Sequence, residues 1–129
     1  MGTRYLLDSN TVIDYIAGLH PDEALKWLNQ VVDEEINVSV ITKIEVLSYN
    51  PDKEDNYQIL VEFFESAAVF DLTEDIVERT IYLRQKQKIK LPDAVIAATA
   101  LVNDMKLISR NTKDFKNIKR LEIVDPYKI

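Results

Sequence analysis

Short apolar runs alternate with longer segments of helical periodicity along the whole chain. Tyr5-Leu6-Leu7 is a compact apolar run closed by Asp8, the pattern of a strand buried on both faces. Ser9 or Asn10 can cap a helix through Thr11 to Ile16, which Gly18 closes. Pro21 suits the first turn of a second helix, in which Ala24, Leu25, Leu28, Val31 and Val32 share one face. Val38 to Ile41 reads as a second strand, and Thr42 opens a helix carrying Glu45, Val46 and Leu47. Beyond Asn50-Pro51 a longer helix holds Tyr57, Leu60, Val61 and Phe64. Ala68 to Leu72 forms a third strand, and a helix runs from Thr73 to about Lys88. Pro92 starts a helix from Asp93 to Met105 that is apolar around most of its circumference, which implies burial. Lys106 to Ser109 and Leu121 to Val124 supply the fourth and fifth strands.

Strand–helix alternation of this kind predicts an α/β fold in three layers, α/β/α, with a central parallel sheet of about five strands flanked by helices. The 129 residues are expected to form one domain, 1–129, with no internal repeat or linker. Only two glycines are present, both before residue 19. No glycine-rich loop can therefore cradle a phosphate, which excludes P-loop and dinucleotide-binding readings.

Composition narrows the chemistry. Apolar residues make up 47% of the chain, enough for a real core. The absence of cysteine excludes disulfide scaffolds, zinc fingers, iron–sulfur clusters and thiol catalysis. The single histidine, His20, cannot build a His-rich metal site or a paired-histidine ribonuclease, and it leaves serine hydrolysis without its usual base. Beside Pro21 and far in sequence from the acids discussed below, His20 is expected to take no part in chemistry. The longest apolar stretch, Ala94 to Val102, is less than half the ~20 residues of a membrane helix. Met1 to Leu7 is too short and polar for a signal peptide, so a cytoplasmic location away from membranes is expected.

A net charge of −6 argues at first sight against nucleic acid as partner. The average hides an asymmetry. Residues 1–78 carry 4 basic and 17 acidic side chains, whereas residues 79–129 carry 12 basic and 5 acidic. In an open parallel sheet, ligands bind beyond the carboxyl ends of the strands, and four acids fall in that zone. Asp8 ends the first strand, Glu45 lies early in the helix after the second, Asp93 begins the buried helix, and Asp114 follows the fourth strand. Converging carboxylates raise one another's pKa unless a cation joins them, and an oxygen-only ligand set suits Mg²⁺ or Mn²⁺. Each acid also has an ordinary structural role open to it. Thr42-Lys43-Ile44-Glu45 has the form of a capping box, Asp93 complements a helix dipole, Asn111 to Asp114 can be a polar turn, and Asp8 can cap the first helix. Spacing alone leaves that choice open.

Four segments carry a resemblance. Leu6-Leu7-Asp8-Ser9-Asn10-Thr11-Val12-Ile13, Ser39-Val40-Ile41-Thr42-Lys43-Ile44-Glu45, Leu91-Pro92-Asp93-Ala94-Val95-Ile96-Ala97-Ala98-Thr99-Ala100 and Ser109-Arg110-Asn111-Thr112-Lys113-Asp114-Phe115 are similar, in order, to the signature segments of PIN domains. The likeness covers essentially the whole chain and is strongest to the VapC-type toxins of bacterial and archaeal toxin–antitoxin pairs. It implies a metal-dependent endoribonuclease, the toxin of a type II system, with Asp8, Glu45, Asp93 and Asp114 holding one or two Mg²⁺ or Mn²⁺ ions. The resemblance implies in-line hydrolysis of an RNA phosphodiester that leaves 5′-phosphate and 3′-hydroxyl ends. Ser9 stands where the family often has Thr and keeps the hydroxyl, while Asn111 matches a polar residue that orients the last acid. The family also implies a homodimer silenced by a cognate VapB-like antitoxin, for which Tyr49, Tyr57, Phe63 and Phe64 are candidate contacts.

Within that frame the basic runs become candidate phosphate contacts. Lys86, Lys88 and Lys90 precede Asp93, and Arg110, Lys113 and Lys116 surround Asp114. Two rivals stand beside this reading. One is a PIN-fold module that binds RNA or protein without cutting. The other is a phosphoryl-accepting receiver domain, with Asp71 as acceptor, although Asp8 lacks an acidic neighbour and Val124 is followed by Asp125 where that class needs Lys.

Overall fold

Five short parallel strands form the centre of the protein: β1 (Tyr5–Leu7), β2 (Asn37–Ser39), β3 (Ala68–Phe70), β4 (Lys106–Ile108) and β5 (Ile123–Val124). The computed structural model describes residues 2–48 and 54–129. The sheet order is β3-β2-β1-β4-β5, so the chain builds outward on one side of β1, then crosses to the other. Register pairs Leu7 with Val38 on one side of β1, and Leu6 with Leu107 and Leu7 with Ile108 on the other. Successive strand residues face opposite ways. Leu7, Val38 and Ile108 therefore enter one helical layer, and Leu6 and Leu107 the other.

Helices α1 (Ser9–Ala17), α2 (Asp22–Glu34), α3 (Val40–Ser48) and α4 (Glu54–Glu65) supply the first layer. Their Val12, Leu28, Val31, Val46, Leu60, Phe63 and Phe64 pack on Leu7, Val38 and Ile108. Helices α5 (Glu74–Lys86), α6 (Leu91–Val102) and the single turn α7 (Thr112–Phe115) supply the second. There Ile76, Leu83, Ile96, Phe115 and the alanines of α6 pack on Leu6 and Leu107. Every residue from Ala94 to Ala100 is buried, as the apolar circumference of that segment predicts. Gly18 closes α1 at φ 69°, a left-handed position that favours glycine, and its N–H returns to the carbonyls of Asp14 and Tyr15. The chain ends in a short 3₁₀ turn, Pro126–Lys128. Among the described residues no helix is long and apolar enough to cross a membrane.

Several boundaries differ from the sequence reading. β2 stops at Ser39 instead of Ile41, because the Ser39 hydroxyl accepts the Ile41 N–H at 3.1 Å and turns the chain directly into α3. Thr42 consequently lies inside α3, buried, and does not open a capping box with Glu45. β3 stops at Phe70, since Asp71 accepts the Thr73 N–H and Thr73 then caps α5 by accepting from Ile76. Where Asn111 to Asp114 could have been a polar turn, Thr112–Phe115 form a single turn of helix, α7. Phe63 and Phe64 are core residues stacked edge to face, so they are withdrawn as partner contacts, while Tyr57 is exposed. Tyr49 and the start of the fourth helix at Asn50-Pro51 lie outside the described residues.

Candidate active site at the carboxyl ends of the central strands

Three buried oxygen-bearing side chains stand at the carboxyl ends of the adjacent strands β2, β1 and β4: Ser39, Asp8 and Ser109. Each accepts a backbone N–H a few residues on. Asp8 Oδ1 takes that of Thr11 at 2.8 Å, Ser39 Oγ that of Ile41 at 3.1 Å, and Ser109 Oγ that of Asn111 at 2.9 Å. The chain thus leaves each strand and bends at once, and acids in the turns that follow are gathered above the sheet.

Asp8 is both cap and site residue. It is the N-cap of α1, and it is only 5% exposed. Burial pushes its carboxyl up from the ordinary range, and hydrogen bonds from Ser109 and Thr11 partly offset this. Asp93, half-buried in the first turn of α6, is also pushed up. Burial is the largest cause; the carboxylates of Asp114, Glu45 and Asp8 add to it, and Lys90 opposes. The fold therefore places Asp93 within electrostatic reach of the other three acids named from the sequence.

The two exposed members are held by neutral donors. The Ser9 hydroxyl donates to Glu45 Oε1 at 2.7 Å and lies 3.2 Å from the Thr42 hydroxyl. Asn111 Nδ2 donates to Asp114 Oδ2 at 2.8 Å. Among the described residues the ion pairs are Arg4–Glu35 and Lys106–Glu122, and neither involves these four carboxylates. Among the same residues, no group of three or more His, Cys, Asp or Glu side chains is arranged to hold a metal ion as it stands. The donor set itself is all carboxylate and hydroxyl or amide oxygen, which fits a hard divalent cation by chemistry.

All six basic candidates are exposed, but they do not share one place. Lys90 acts on Asp93. Arg110 lies over the ring of Tyr127, 3.7 Å from its centroid. Lys86 sits over Tyr82 at 5.4 Å and lines a groove of about 1080 Å³ with Leu101 and Val102, at the end of α6 opposite to Asp93. Sequence reasoning missed Ser39 and Ser109 as the buried hydroxyls of the site: Ser109 closes the Leu107-Ile108 run and gave a signal, whereas Ser39 lies inside the segment Val38 to Ile41. It also missed Tyr127, which no local pattern connects to residue 110.

The PIN domain family profile matches residues 5–121. A chain of a toxin–antitoxin complex from Klebsiella pneumoniae is 34% identical, with 97% of this chain and 99% of that chain covered and a TM-score of 0.76. A chain of VapBC2 from Rickettsia felis, solved with a promoter DNA fragment, is 25% identical over 95% of this chain and 98% of that one, at a TM-score of 0.80. A chain of DNA-bound VapBC from Salmonella typhimurium shares the fold at a TM-score of 0.82 and 20% identity, over 97% and 99% of the two chains. A comparison with curated protein sequences found no match. The chain belongs to the PIN domain family and has the architecture of its VapC-type members. The receiver-domain reading is thereby overturned. The sheet order agrees, because β2 separates Asp71, after edge strand β3, from Asp8 on β1.

Proposed function

We propose that this protein is a Mg²⁺- or Mn²⁺-dependent endoribonuclease, the toxin of a type II toxin–antitoxin pair. The fold is that of VapC-type PIN domains, which are nucleases. The observation that carries the reading further is the state of Asp93, whose carboxyl is raised first by burial and then by the carboxylates of Asp114 in α7, Glu45 in α3 and Asp8 after β1. Such a cluster of like charge is unfavourable by itself and is relieved by a divalent cation. A cation held by Asp8, Asp93, Asp114 and Glu45 supplies Lewis-acid polarisation of a phosphate and lowers the pKa of water. Ser9 and Asn111 orient the two exposed acids through single hydrogen bonds. The buried Ser109 and Thr11 groups hold Asp8 in one rotamer. The likeness to chains of toxin–antitoxin and VapBC complexes supports a VapB-like antitoxin as partner, and a homodimer and a cytoplasmic setting belong to the same reading.

Incubation of the purified chain with a mixed RNA pool in Mn²⁺, beside an Asp93→Asn variant, tests it. Cleavage by the wild type with 5′-phosphate products, reduced at least a hundredfold in the variant, is the expected result (roughly 2.7 kcal/mol of transition-state stabilisation). Equal cleavage by both overturns the assignment. One rival is a PIN fold that binds RNA without cutting it. That rival predicts RNA binding with no cleavage in either metal.

A further inference from the structure

A second cleft, of about 290 Å³, opens beside the carboxylates and is lined by Asn10, Thr11, Asp14, Arg110 and Asn111. Two of its lining residues are bonded to the acidic site: the Thr11 N–H to Asp8, and the Asn111 amide to Asp114. Its cation is Arg110, exposed to solvent yet held in place, with its guanidinium stacked 3.7 Å from the centroid of Tyr127. Tyr127 is itself gripped from three sides. Asp125 accepts its backbone N–H at 2.9 Å, its phenol donates to the Leu19 carbonyl at 3.4 Å, and the buried His20 packs edge-on against its ring at 5.6 Å. His20 in turn contacts the Thr11 carbonyl at 3.3 Å through Nε2. The C-terminal turn, the loop after α1 and α1 itself thus converge on one guanidinium.

We propose that this cleft is the subsite for one ribonucleotide flanking the scissile bond, with Arg110 as its phosphate ligand and Tyr127 as the residue that positions Arg110. The proposal rests on the RNA reading above and deepens it. A guanidinium fork pairs with two phosphate oxygens, and one already stacked on an aromatic face loses less rotamer freedom when it does so. Asn10 and Asn111 offer amides that both donate and accept, while Asp14 accepts only. An acceptor-only group repels phosphate and suits a ribose hydroxyl or an exocyclic amine, so the polar lining matches a sugar or base next to a phosphate. The volume lies at the lower end of the range for small-molecule sites, roughly 300 Å³. This placement also gives His20 and the 3₁₀ turn a role in the fold: together they fix the height of the Tyr127 ring under Arg110.

The test is binding of a short, labelled single-stranded RNA by fluorescence anisotropy in Ca²⁺, across a series of salt concentrations, with cleavage in Mn²⁺ read separately. Arg110→Ala and Tyr127→Leu each weaken binding about tenfold and flatten the salt dependence by roughly 0.7, the share of one phosphate contact on a single strand. The double variant is no weaker than Arg110→Ala alone, because the ring acts only through the guanidinium. Binding recovers with Tyr127→Phe, which keeps the ring. Arg110→Lys, which keeps the charge without the planar stack, binds more weakly than wild type and keeps the salt slope; this variant decides the matter if Tyr127→Leu fails to fold. Wild-type binding by Arg110→Ala or Arg110→Lys overturns the subsite, as does additivity in the double variant. Loss of the subsite with cleavage intact leaves the ribonuclease reading standing. RNA binding without cleavage by the wild type removes that reading and leaves the subsite. No RNA binding by the wild type removes both.

Discussion

Asp93 sits where two effects oppose each other. In the first turn of α6 a negative charge gains from the helix dipole, by about 0.3–1 kcal/mol at a surface position. Partial burial and the carboxylates of Asp114, Glu45 and Asp8 act the other way, and the raised pKa says that they win. An acid whose folded pKa lies above its unfolded value stabilises the native state below the unfolded pKa, and that contribution is lost as pH rises through the folded value. In EDTA, Asp93→Asn is therefore expected to melt at a higher temperature than wild type at neutral pH. The difference closes as pH falls below the ordinary carboxylate range, near about 4. Equal Tm values at all pH would sink this account. By the same logic, cleavage declines on the acid side as Asp93 takes up a proton. Asp8 shows why a residue can serve two readings at once: the oxygen that caps α1 leaves the second carboxylate oxygen for the site. Asp8 and Asp114 were legible as acids that follow strands, whereas Glu45 and Asp93 stand within α3 and α6 and joined them through the resemblance. The hydrogen bond from Ser9 to Glu45 was not, because it joins positions 36 residues apart.

α6 shows how much an element can reveal before it is folded. Its unbroken Ala-Val-Ile-Ala-Ala-Thr-Ala run has no polar face, so it could only be a central, buried helix. The alanines matter as much as the larger residues, since they let α6 lie close to α5 and the sheet. Ala98, with no exposed surface, is packed to native density, and Ala98→Leu is expected to cost about 1–3 kcal/mol. A fall in the urea midpoint with unchanged slope is the sign to look for, and an unchanged midpoint would mean that the helix has room to shift. The boundary between β2 and α3 was less legible. Val38 to Ile41 is apolar but for Ser39, and a segment of that length reads equally as strand or as the start of a buried helix. The Ser39 hydroxyl decides, by capturing the Ile41 N–H and ending the strand two residues early.

At the scale of the whole molecule, the charge of −6 is compatible with a nucleic-acid substrate because its acidic and basic residues are separated in sequence and three of its acids bear on Asp93. Relief of that repulsion gives a stability test independent of activity. Mn²⁺ at about 100 times its Kd is expected to add about 2.7 kcal/mol to the native state of the wild type and far less to Asp93→Asn, read as a shift in Tm. No shift in the wild type would contradict a divalent site. The sequence by itself determined the strand–helix alternation and the buried helix, because burial is written in local periodicity, whereas it named the four acids as a set only through the family resemblance. Only the tertiary structure decided the strand order, the hydroxyls that hold the acids, and the seating of Arg110 on Tyr127 over the loop that carries His20. Those features arise from contacts between distant segments, each too weak to leave a local signature, that form together when the two layers close on the sheet.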